Sequence, residues 1–207
     1  MSNFKYYLHN FLNSGSSYFG LDLKYFASGG FWTVFGQGIN GVISFFLVIA
    51  FANLLPKETY GFYRYILSLA GIFNVLTMTG MNAAVSQAVA AGNEGALRTS
   101  VKCQLKWNII MAIAMWGLGG YYLLNNNMTL AISFIIFGIF TPLTFAFNTY
   151  GAYLDGKKQF KINNLFSIFS TVVYAVGMML AILLSKGILP LVIAYVLTTL
   201  IANIFFY

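Results

Sequence analysis

The chemistry open to this chain is that of carboxamides and hydroxyls set among apolar neighbours. Inside the charge-free run from Phe31 to Leu55, Thr33, Gln37, Asn40 and Ser44 recur, with Gly36 and Gly41 beside them. At ~100° per helical residue they fall on one face. Gly71, Asn74, Met78, Asn82 and Ser86 repeat the pattern, as do Thr141, Thr144, Asn148 and Gly151 next to Pro142. A fourth stripe joins Asn163, Ser167, Ser170, Tyr174 and Gly177. Such groups either pack helices against one another or line a shared polar cavity. Taken singly, each stripe allows both readings. Four stripes against one almost bare segment, Ile109–Leu124, favour the cavity. Its expected lining is Gln37, Asn40, Ser44, Asn74, Asn82, Thr144 and Asn148, with the bare segment outside, towards lipid.

Other chemistries lack their residues. A single cysteine, Cys103, excludes an internal disulfide framework and a cysteine metal cluster, and a single histidine, His9, excludes a multi-histidine zinc site. An intramembrane serine protease needs a histidine or lysine base, and the apolar runs hold neither. Gly36-Gln37-Gly38-Ile39-Asn40-Gly41 has dinucleotide-fingerprint spacing, but that fingerprint requires a strand before it and a soluble βαβ unit around it. Close helix packing explains these glycines better. Asn127-Met128-Thr129 fits a glycosylation sequon but sits in a turn tight against an apolar run. No catalytic residue, metal site or cofactor is expected, and the chain reads as a non-enzyme.

The cations come in groups. Arg98, Lys102 and Lys106 are spaced by four, while Lys157, Lys158 and Lys161 cluster after the fourth apolar run. Topological anchoring is the simple explanation. The sharper one places Arg98 and Lys102 against a phosphate-bearing lipid at the cavity mouth. Arg64, among Tyr60, Phe62, Tyr63 and Tyr65, either snorkels to the interface or turns inward toward an anion.

These side chains must be carried by membrane-spanning helices. The chain is 59% hydrophobic and 7% charged, far below the quarter typical of soluble domains. A net charge of +7 would suggest nucleic acid in a soluble protein; here it reads as anchoring to anionic headgroups, with no nucleic-acid partner. The expected fold is all-α and polytopic, with about six spans at roughly 28–54, 65–91, 106–124, 128–154, 162–184 and 187–207. Residues 1–27 form an interfacial, cytoplasmic N-terminal segment, and 28–207 one six-helix lobe. The stretch Pro56–Gly61 is expected to be the turn after the first span, and Asp155 a loop residue. Of eleven Lys and Arg, eight fall on the side of the N-terminus and three (Lys57, Arg64, Lys186) on the other. The positive-inside rule then places the N-terminus in the cytoplasm. Ile201–Tyr207 stops without a basic flank, which suggests one half of a longer transporter.

Phe31-Trp32-Thr33-Val34-Phe35-Gly36-Gln37, Leu54-Leu55-Pro56-Lys57-Glu58-Thr59-Tyr60-Gly61-Phe62-Tyr63 and Gly80-Met81-Asn82-Ala83-Ala84-Val85 resemble the opening of Wzx-type polysaccharide flippases. These belong to the multidrug/oligosaccharidyl-lipid/polysaccharide exporter (MOP) superfamily. The resemblance is best over 28–110. It implies one lobe of a MATE-like MOP fold in the inner membrane, moving an undecaprenyl-diphosphate-linked oligosaccharide for surface polysaccharide such as lipopolysaccharide O-antigen. It also makes membrane lipids, a polysaccharide polymerase and glycosyltransferases the expected partners. At Gln87 the chain departs from relatives that carry a basic residue there. A drug exporter of the same superfamily and a membrane assembly subunit remain as alternatives.

Overall fold

The structure is a computed structural model that describes residues 23–207, with side chains from Gly29 onward. The N-terminal segment read from the sequence lies outside these up to residue 22. Among the described residues all regular structure is helical: α1 (Leu23–Leu54), α2 (Lys57–Phe73), a 3-10 turn (Asn74–Leu76), α3 (Met81–Ala90), α4 (Ala96–Leu124), α5 (Met128–Gly156), α6 (Phe160–Leu184) and α7 (Ile188–Phe206). Five helices are long and apolar enough to cross a membrane, or six if the bent pair α2–α3 counts as one span. At ~1.5 Å per residue, helices of 25 to 32 residues exceed a ~30 Å hydrocarbon core, which is what an all-α polytopic protein requires.

Three boundaries differ from the sequence reading. Pro56–Gly61 is no extended turn, because α2 already begins at Lys57. Pro56 stands at the cap with φ −58°, and a helix start does not need the N–H that proline lacks. Its carbonyl accepts the first helical bond, from Tyr60 N at 3.0 Å. The second expected span is broken. Thr77 is extended (φ −89°, ψ 166°), and the two halves meet at 56°. The third span starts at Ala96, well before 106, so Arg98, Lys102 and Lys106 lie on its first turns.

The short turn between α4 and α5 shows why three asparagines stand together. Asn125 Nδ2 donates to Tyr121 O at 2.8 Å, Asn126 takes a left-handed conformation (φ 58°), and Asn127 Oδ1 accepts from Leu130 N at 3.2 Å. Asparagine tolerates that conformation and caps helices, so local geometry accounts for all three.

The apolar core lies towards one end of the bundle. Leu47, Phe51 and Leu55 of α1 pack with Tyr63 of α2, Met178 and Ile182 of α6 and Leu191 of α7. Beside them Ile66, Met111, Met115, Phe134, Phe137 and Val192 join α2, α4, α5 and α7. Tyr63, fully buried, also sets its hydroxyl 3.2 Å from that of Tyr174 on α6. The opposite end is held by a smaller cluster, Val85, Val89 and Ala152, where α3 meets α5. There Gly156 lets the two backbones close up: a Cβ at this position would lie 2.6 Å from Ser86 O and 2.8 Å from Val89 Cβ. A bundle packed at one end and splayed at the other leaves space between its helices.

Candidate polar cavity

That space is a cavity of about 650 Å³, within the range of ligand pockets (~300–1,000 Å³). Its walls come from the middle of α1, from α3, the C-terminal third of α5, the N-terminal half of α6 and the end of α7. The cavity runs from the middle of α1 towards the end where α3, α5 and α7 finish and α6 begins. None of the lining residues comes from α2 or α4.

Gln37, Asn40, Asn82 and Asn148 line this cavity. The other three candidates lie away from it. Ser44 is exposed on α1 beyond the last cavity residue of that helix. Asn74 closes the end of α2: Thr77 Oγ1 sits 2.7 Å from its carbonyl and 2.8 Å from its Oδ1, sharing one proton between them. Thr144 donates to Phe140 O of its own helix at 3.2 Å. Of the proposed phosphate contacts, Arg98 and Lys102 are exposed on the first turns of α4, at the cavity's end but outside its lining. Arg64 is exposed near the start of α2, at the closed end.

The lining is knit together by side-chain bonds between helices. Asn40 Nδ2 donates to Ser167 Oγ at 2.7 Å, tying α1 to α6. Asn163 Nδ2 donates to Asp155 Oδ1 at 2.7 Å, tying α6 to α5. Gly36 makes the α1–α6 approach possible, since any Cβ there would collide with Asn164. By contrast Gly38 and Gly41 face open space, so close packing explains only the first glycine of that run. Asn40 Oδ1 is buried and has no protein partner, an uncompensated acceptor in the cavity wall.

Several lining residues escaped the sequence reading. Asp155 belongs to the last turn of α5 and lines the cavity, where a loop position was expected. The spacing that groups Asn148 with Gly151 continues to Asp155, so extending that stripe by one turn finds it. Asn164, Thr199 and Asn203 also line the cavity. The last two are spaced by four on α7, a stripe hidden by the hydrophobicity of that helix.

Nor is the third span bare. Its helix α4 carries Gln104 and Asn108, both buried: Gln104 Nε2 donates to Thr149 Oγ1 at 2.6 Å and Asn108 Nδ2 to Pro142 O at 3.1 Å. These amides fasten α4 to α5 rather than to the cavity.

At the mouth, Lys157 pairs with Glu94, linking the α5–α6 connection to the α3–α4 connection. Lys161 lies over the Trp32 ring at 5.1 Å. The hydrogen bond from Lys157 to Glu94 is the main cause holding the ammonium above the ordinary lysine range. A raised pKa means the pair's contribution is complete at neutral pH and fades as pH climbs through that range. Because the pair is solvated, Lys157→Glu should lower the Tm only slightly, and adding Glu94→Lys should restore it. Tm measured across the four-member cycle checks this; an unrecovered double variant would remove the pair as a clasp.

The family described as "Polysaccharide biosynthesis protein" matches residues 26–207. No curated protein and no solved structure matches the chain.

Proposed function

Since the chain belongs to the polysaccharide biosynthesis protein family, that of the Wzx-type flippases in the MOP superfamily, we propose that it flips an undecaprenyl-diphosphate-linked oligosaccharide across the cytoplasmic membrane. The family gives the chain a role in polysaccharide synthesis and export, and its apolar helices make it a multi-pass membrane protein. The observation that carries the finer reading is the cavity. Polar side chains within membrane helices turn to the bundle interior or a water-filled cavity and mark substrate pathways, and an amide-rich hollow suits polar cargo. Binding at a cavity open to one face, followed by opening to the other, is the usual logic of membrane carriers. Transport is the activity proposed; no covalent step is assigned to any residue.

In this reading Gln37, Asn40, Asn82 and Asn148 bind the glycan while the lipid tail stays in the bilayer. Arg98 and Lys102 hold the diphosphate on the loading side, and Arg64 meets it at the opposite end. The excess of Lys and Arg near the cavity's end supports a cytoplasmic mouth and a cytoplasmic N-terminus in the inner membrane. A polymerase and glycosyltransferases are the protein partners this role calls for.

Deleting the gene should strip the cell surface of one polysaccharide while its lipid-linked precursor accumulates on the cytoplasmic leaflet. Both should reverse on complementation. Loss of the polysaccharide without precursor build-up would point to synthesis instead of flipping.

A further inference from the structure

The cavity's lining is rich in neutral polar groups and poor in charge. Seven carboxamides and six hydroxyls face it, together with four aromatic rings, Phe147, Tyr150, Phe166 and Phe206. Among the described lining residues there is no lysine, arginine or histidine, and one ionisable acid, Asp155. Each carboxamide offers both donors and an acceptor, which matches sugar hydroxyls and N-acetyl groups in either polarity. A sugar carboxylate is a poorer guest. It gives up hydration without gaining a cation, which is unfavourable in a confined site.

Asp155 adds repulsion to that lack of attraction. It sits on the last turn of α5, at the mouth end, half-buried. Asn163 Nδ2 donates to Oδ1 at 2.7 Å, which holds the carboxylate in place in the cavity wall. Of the cations nearby, Lys157 pairs with Glu94 and Lys161 lies over the Trp32 ring. Arg98 and Lys102 stand outside the lining on α4. Like charges brought together in a partly desolvated site reject a ligand that neutral contacts alone would tolerate.

We infer that the face of the cavity built by this chain takes uncharged, hydroxyl-rich or N-acetylated sugars, and that Asp155 is the specificity-determining residue that turns away acidic ones. The inference rests on the reading that the cavity holds a glycan.

The test is calorimetric titration of the purified chain in nanodiscs with an N-acetylglucosamine tetramer and a galacturonate tetramer. The acidic tetramer should bind at least about ten-fold more weakly. Asp155→Asn should shrink that ratio to about three-fold or less, whereas Asp155→Glu should keep it. Raising salt from about 0.05 to 0.5 M should narrow the wild-type ratio, since screening weakens repulsion but not shape mismatch. The salt arm decides the matter even if a variant fails to fold. Equal binding of the two tetramers by the wild type, or a ratio indifferent to salt and to Asp155→Asn, overturns the inference and leaves the glycan reading standing. Binding of neither tetramer overturns that reading and the inference with it.

Discussion

Asn148→Trp should reduce glycan export at least about ten-fold while the protein still folds and inserts. Asn148 lies on α5 in the wall of the cavity and is exposed, so its replacement meets open space rather than a packed neighbour. A tryptophan there occupies a substantial part of a hollow of about 650 Å³. Its ring should obstruct any guest threading between α3, α5 and α6. The expected result is accumulated lipid-linked precursor, little surface polysaccharide and a Tm close to wild type. Asn148→Ala, which only removes an amide, should have a much milder effect. The contrast between the two variants matters most, because a residue that merely glued helices would suffer in both. Wild-type export by the tryptophan variant at normal expression would sink the cavity as the transport route.

Gly156→Leu should be the most damaging single change to the fold. The glycine lies at the end of α5, where α3 crosses it closely enough that even a Cβ would meet Ser86 O at 2.6 Å. That neighbour is backbone and cannot rotate away. Nor can Val89, whose Cβ would stand 2.8 Å off, move without shifting α3. Overpacking of this kind typically costs about 1–3 kcal/mol, and a backbone collision belongs at or above the upper end. Thermal denaturation in one detergent should show Gly156→Ala already lowered and Gly156→Leu lowered further or unfolded. If the alanine variant melted with the wild type, the tight α3–α5 crossing would be wrong. Loss of that crossing also frees Asn82 and Ser86, so export should fall with stability.

The membrane character of the chain was legible because it is set by composition. A 7% charge content leaves too little polarity to cover a soluble surface, and uninterrupted apolar runs must lie in lipid. The stripes were legible as stripes, since periodicity depends only on helix geometry. Their destinations were not. Asn40 and Asn74 look alike in sequence, yet Asn40 reaches Ser167 on another helix while Asn74 stays with Thr77 in its own turn. Gln104 and Asn108, just before the bare segment, are both buried and bonded to α5. An amide in a membrane helix must find partners somewhere, and which partner depends on the neighbour that packing brings near.

The sequence by itself determined the helical class, the approximate spans and the uneven distribution of positive charge. Tertiary structure alone decided where the second span breaks, that Asp155 lines a cavity, and that the cavity lies at one end of the bundle. The physical reason is the same in each case. Apolar content and period are local properties that every residue carries with it. A cavity is the space left where packing fails to close, and that depends on contacts far apart in sequence. Here large apolar side chains fill the Tyr63 and Phe134 end, while glycines and amides hold the other end together around an opening.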